Sequence, residues 1–212
     1  VGIDISLTNT GLLVFRCEGD DGFVSERANI LTEPTFPIEV RQLHVVHNIV
    51  RLVLRYVEKY GEIGVIIEGY STSRFAGKLF ERVEITAMVK YILSSIHGVR
   101  LYTARAKSVK AFMGKGNYDK AQMAKAALNR YGFVADNEHV VDAYCLARYL
   151  HAYIHGKDLS IEFVQYPFVD AALLQPSARP ENKDCASPLT KKLRRITLPT
   201  RSHPATARAF SA

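Results

Sequence analysis

The 212-residue chain has no tryptophan, only three methionines and only three cysteines. Cys17, Cys145 and Cys185 are odd in number and far apart, with neither a disulfide framework nor the paired spacing of a zinc ribbon or redox pair. They read as reduced thiols in a cytosol-like compartment. Long apolar runs are also missing: Val65-Ile66-Ile67 is representative, against the roughly 18 residues of a membrane span. No basic, apolar and small-residue signal pattern opens the chain. A cytoplasmic protein without membrane insertion is therefore expected. The 48% hydrophobic and 23% charged content is that of an ordinary globular domain.

Acidic residues are in the minority, 21 against 28 Lys plus Arg, for a formal charge of +7. A surplus of that sign suits a polyanionic partner. Its distribution is uneven. Residues 176–212 hold eight basic and two acidic residues, a surplus of six, which leaves +1 for residues 1–175. The same stretch carries Pro176, Pro180, Pro188, Pro199 and Pro204 among Ser, Thr and Ala, with little apolar periodicity. Such a composition buries too little surface to offset ordering. The expected organisation is a folded domain over 1–175 and a flexible, basic, Pro-rich tail over 176–212.

Within the body, Val1–Ile5 and Gly11–Cys17 are apolar segments joined by a polar turn, and Phe23–Leu31 supplies a third strand. From Pro37, apolar residues recur at helical spacing until Gly61. Residues 64–68 are too short and β-branched for a helix and read as a buried strand that exits on Glu68. Helical spacing returns over 78–97 through Leu79, Val83, Ala87, Tyr91 and Ser94. A strand over 99–102, helices near 104–113, 119–131 and 138–155, and a strand within 159–164 complete the order. This succession predicts an α/β fold, a mixed sheet covered by helices on both faces.

Three carboxylates stand out by position. Asp4 interrupts an apolar first strand, Glu68 ends another, and Asp142 lies near the start of the last helix. An unpaired buried carboxylate costs several kcal/mol, so a cation or salt-bridge partner is expected at Asp4. A cap on the Ser6–Thr10 turn is the plainer alternative for that residue. His139 and Asp142, at i and i+3, share one helix face at a spacing compatible with one metal, although favourable interaction with the helix dipole explains such a pair equally simply. Asp136 and Glu138 could substitute for His139. Oxygen-rich, thiol-free ligands suit Mg²⁺ or Mn²⁺, and two such ions would serve phosphoryl transfer. Lys110, Lys115 and Lys120 bracket a glycine-containing turn where cations can meet phosphate; Gly114-Lys115-Gly116 does not match the Walker pattern.

Four blocks then resemble, in order and spacing, the Holliday-junction resolvases of the RuvC type: Gly2-Ile3-Asp4 through Gly11; Ile66 to Tyr70; Val109 to Gly116 with Asp119-Lys120-Ala121-Gln122; and His139-Val140-Val141-Asp142-Ala143. The likeness spans roughly residues 1–155. It implies a ribonuclease-H-like mixed β-sheet flanked by helices, a homodimer, and two-ion Mg²⁺- or Mn²⁺-dependent cutting of four-way junctions in DNA recombination and repair. By position it implies Asp4, Glu68, Asp142 and His139 as metal-binding and catalytic groups, with Lys110 and Lys120 as catalytic cations. Tyr70, Arg74, Phe75, Lys78, Lys107 and Lys115 are the implied DNA contacts, the aromatics stacking on unpaired bases. The apolar face of helix 78–97 is the expected dimer interface, with core packing as the alternative. Residues 156–212 have no counterpart in the compact bacterial pattern, which points to a phage or otherwise divergent member.

The opening Gly2 to Gly11 also resembles the first phosphate loop of actin-like kinases and chaperone ATPases. Those proteins need two such domains and a second glycine-rich stretch, which is not seen here. A third reading is a nucleic-acid-binding module without catalysis, held by the basic tail.

Overall fold

The computed structural model describes residues 1–18, 21–69 and 76–164. The elements are β1 (Gly2–Asp4), β2 (Asn9–Glu18), β3 (Asp21–Leu31), α1 (Ile38–Tyr60), β4 (Ile63–Glu68), α2 (Ala76–Ser94), β5 (Val99–Ala104), α3 (Ala106–Met113), α4 (Lys120–Tyr131), α5 (Glu138–Ile154) and β6 (Ile161–Phe163). They form one six-stranded sheet in the order β3-β2-β1-β4-β5-β6. The first three strands are antiparallel, β1, β4 and β5 run parallel, and β6 returns antiparallel. This is a mixed sheet flanked by helices, consistent with the ribonuclease-H-like α/β fold expected. No helix among the described residues is long and apolar enough to cross a membrane.

Strand parity explains the two cores. Ile3, Ile5, Leu12, Val14, Val65 and Ile67 pack with α1 and α2, whereas Leu13 and Ile66 pack with α3, α4 and α5. Successive strand side chains point to opposite faces. Asp4 and Glu68 are therefore directed to the face that carries α5. That helix lies close to the sheet because the sheet offers it glycine. A Cβ at Gly2 would stand 2.0 Å from the Ala143 carbonyl oxygen, and one at Gly11 would stand 2.0 Å from that of His139. Any side chain at either position would lift α5 off β1 and β2.

Helix α2 departs from expectation in its phase. Ile85, Val89 and Leu93 are its core stripe, while Ala87 and Tyr91, read from sequence as the apolar stripe, are exposed. The sequence is apolar on more than one face here, so periodicity alone did not select the buried one. Tyr70, Arg74, Phe75 and the 176–212 tail lie outside the described residues. Lys78 falls within α2, with its side chain outside the described set.

Candidate functional site

Asp4 ends β1 and Glu68 ends β4, next to it in parallel register through Ile3 and Ile67. Asp4 is only 7% exposed. It does not cap the following turn. Thr10 does that, with its hydroxyl donating to the Ser6 carbonyl (2.6 Å) and accepting from the Ser6 N–H (3.1 Å). The Asp4 carboxylate meets His139 instead, Oδ2 lying 2.7 Å from Nδ1. Asn137 fixes the entry to α5 by accepting from the His139 N–H at 2.8 Å. Cap and glycine together put the first turn of α5 over Asp4.

Asp142, one turn further along α5, lines the same cavity of about 370 Å³ as Asp4, Glu68 and His139. Lys110 and Lys120 also line it, at the end of α3 and the start of α4. A capping box between Asp119 and Gln122 sets the position of Lys120. Lys120 is ion-paired with Glu138. Lys107 and Lys115 are exposed and do not line this cavity. Arg82 was not singled out from sequence, yet it lines the cavity and donates to Glu68 at 3.0 Å. Its signal was weak, one arginine on a helix of mixed polarity.

Proton affinities in the cavity are shifted. Burial pushes the Asp142 carboxyl up to about 7, with the Asp4 charge adding to it. Burial also raises Glu68, opposed by Arg82. The hydrogen bond to Asp4 holds the His139 imidazole above its usual value, against the effect of burial. Two carboxyls whose proton affinity is raised by burial thus stand in one cavity with the Asp4–His139 pair.

The expected cofactor, two Mg²⁺ or Mn²⁺ ions held by Asp4, Glu68, His139 and Asp142, is corrected by this geometry. Among the described residues, the His, Cys, Asp and Glu side chains whose ligating atoms converge, all within 4.8 Å of one another, are Cys17, His151 and His155. The acidic group does not draw together to that degree. Two of its members have protein partners instead, Asp4 hydrogen-bonded to His139 and Glu68 ion-paired with Arg82. Glu138 faces Lys120 and Asp136 is exposed, so neither replaces His139. The Cys–His–His group escaped the sequence reading because its thiol and imidazoles are over 130 residues apart. Only the His151-x-x-x-His155 spacing hinted at it.

No family model matches the chain, and no curated protein matches it. Among solved structures it is similar to Thermus thermophilus RuvC, at 22% identity and a TM-score of 0.55 over 77% of this chain and 98% of that one. It is also similar to T. thermophilus RuvC in complex with Holliday junction substrate, at 19% identity and a TM-score of 0.59 over 77% and 97%. At these identities the likeness establishes a shared fold.

Proposed function

We propose that the protein is a structure-selective endonuclease that resolves four-way DNA junctions by hydrolysing phosphodiesters at the Asp4 cavity. The observation that carries this reading is the convergence of Asp4, Glu68, His139 and Asp142 with Arg82, Lys110 and Lys120 around one cavity. The fold it shares with a resolvase solved on its junction supports the substrate class. Lys110, Lys120 and Arg82 neutralise the phosphate. Asp142, poised near neutrality, takes the proton of the attacking water. His139, whose proton affinity the hydrogen bond to Asp4 raises, faces the leaving oxygen, and the products are a 5′-phosphate and a 3′-hydroxyl.

Tyr70, Arg74, Phe75, Lys78, Lys107 and Lys115 contact the DNA in this reading. The 176–212 tail adds sequence-independent affinity through its basic residues. A junction is two-fold symmetric, so a homodimer presents two cavities to opposing strands. The outer face of α2 suits that interface, with Phe80 70% and Tyr91 57% exposed. The two described cysteines, Cys17 and Cys145, are free thiols, in keeping with a cytoplasmic protein.

The test offers the purified full chain four-way junctions, Y-forks and linear duplex, with and without divalent cations, beside Asp4→Asn. Preferential, paired cutting of the junction that is lost in Asp4→Asn is the expected result. Equal cutting of all substrates, junction binding without cutting in any buffer, or cutting that survives the substitution overturns the proposal. Removing residues 176–212 should weaken salt-sensitive affinity and leave junction selectivity to the body; loss of selectivity at unchanged affinity would refute that division.

A further inference from the structure

Helix α5 and strand β2 run side by side and in the same sense. Gly11 lies against the His139 carbonyl, and Phe15 packs edge-on against His151 at 5.1 Å between ring centroids. Parity then directs Cys17, two residues beyond Phe15, to the last turn of α5. The lengths agree: six strand residues cover about 20 Å and twelve to sixteen helical residues about 18–24 Å. Cys17 thus arrives where His151 and His155, at i and i+4, share one helix face, with ring centroids 4.4 Å apart. His151 is buried; Cys17 and His155 are exposed.

We infer that Cys17, His151 and His155 form a binding site for one borderline divalent cation of the Zn²⁺ type, separate from the Asp4 cavity. The donor set decides the class of ion. One thiol sulfur and two imidazole nitrogens select Zn²⁺ over Mg²⁺ or Ca²⁺, which require oxygen. The geometry is nearly made. Tetrahedral Zn²⁺ needs its sulfur and nitrogen ligands about 3.3–3.7 Å apart, given metal–ligand bonds of about 2.0–2.3 Å. The three ligating atoms already lie within 4.8 Å of one another, and Cys17 and His155 are exposed, so that rotation of their side chains would close the remainder. On coordination the Cys17 thiol gives up its proton to solvent and binds as thiolate. Three protein ligands leave a fourth position for water. Cys17 and His151 also line a cavity of about 410 Å³, with Ser25, Tyr56 and Glu62 on its wall, which has room for that water. The bound ion clips the end of α5 to β2, some 18 Å along the helix from His139.

The test uses the full chain without an affinity tag, reduced, stripped by chelator and dialysed. Titration with Zn²⁺ should give one site per chain, and Co²⁺ should give a thiolate-to-cobalt charge-transfer band with the visible bands of tetrahedral coordination. Cys17→Ser should abolish the charge-transfer band, and Cys17→Ser and His155→Ala should each weaken Zn²⁺ binding by about 10–100-fold or more. Both positions are exposed, and circular dichroism checks that the variants fold. Asp4→Asn should bind Zn²⁺ as the parent does. Absence of stoichiometric binding, or binding that both Cys17→Ser and His155→Ala retain, overturns the inference. Loss of binding in Asp4→Asn would also overturn it, by tying the metal to the other cavity.

Discussion

The two ends of α5 carry opposite chemistries on one rigid element. At its N-terminal end the helix brings His139 and Asp142 to Asp4 and Glu68, an oxygen-rich set in which Asp4 is hydrogen-bonded to His139 and Glu68 is paired with Arg82. At its C-terminal end it brings His151 and His155 to Cys17, a set of softer donors. The first end raises carboxyl proton affinities through burial and resists ionisation. The second end draws ligating atoms together. Clustered acids are thus not by themselves a metal site; what counts is whether their donors converge or are already committed to arginine and histidine.

The largest effect that separates the ends is expected from Asp4→Asn. Junction cleavage should fall by about 10³-fold or more, since the imidazole loses the carboxylate that orients it, while Zn²⁺ affinity stays unchanged. The reciprocal Cys17→Ser should remove Zn²⁺ binding and leave single-turnover cleavage within about twofold of the parent. Correlated losses in both assays would mean that the ends are one functional unit.

Next comes Gly11→Ala. The added Cβ would collide with the His139 backbone, 2.0 Å away. A loss of about 2–4 kcal/mol in urea unfolding is expected. In the folded fraction, cleavage should suffer more than Zn²⁺ binding, because the lifted turn is the one that holds His139. Unchanged stability would show that α5 does not bear on Gly11.

A smaller and pH-dependent effect belongs to Asp142. Its folded value of about 7 lies above the 3.8 of an ordinary carboxyl, so between those values the folded state holds the proton more tightly. The associated stability is full below about 3.8 and is lost as pH rises towards 7. His139, also raised, acts in the same direction, its stabilisation present below its ordinary value of 6.5 and lost as pH rises through the folded value. Asp142→Asn, which cannot ionise, should therefore gain on the order of 1–3 kcal/mol over the parent at pH 8 and about nothing at pH 4. Thermal unfolding at both pH values measures this; a gain at pH 4 alone contradicts the burial argument.

The smallest change is expected from Arg82→Ala. The Arg82–Glu68 pair is partly exposed, so stability should shift by less than about 1 kcal/mol. Junction affinity should nonetheless drop several-fold in filter binding, and Zn²⁺ affinity should not move. A large stability loss would make Arg82 a structural clamp rather than a phosphate contact.

Much of the fold was legible in the chain. The Asp4, Glu68 and Asp142 positions were legible as well, because each interrupts or ends an apolar pattern. The apolar repeat of α2 was misleading in sequence, since Leu79, Val83, Ala87 and Tyr91 recur as regularly as Ile85, Val89 and Leu93, yet Ala87 and Tyr91 are exposed and the latter three are buried. Arg82 carried no pattern at all. The cysteine count suggested that the thiols had no shared role, yet Cys17 stands beside two histidines.

By itself the sequence determined the order of elements and the face on which each strand residue stands, because those follow from local periodicity. It also determined the uneven charge, with +6 in residues 176–212. Tertiary structure alone decided which groups meet. The glycines at 2 and 11 let α5 lie on the sheet, and that single contact chose His139 as the partner of Asp4. The same contact carried Cys17 to His151 and His155, since a helix and a strand laid side by side keep a common register along their length.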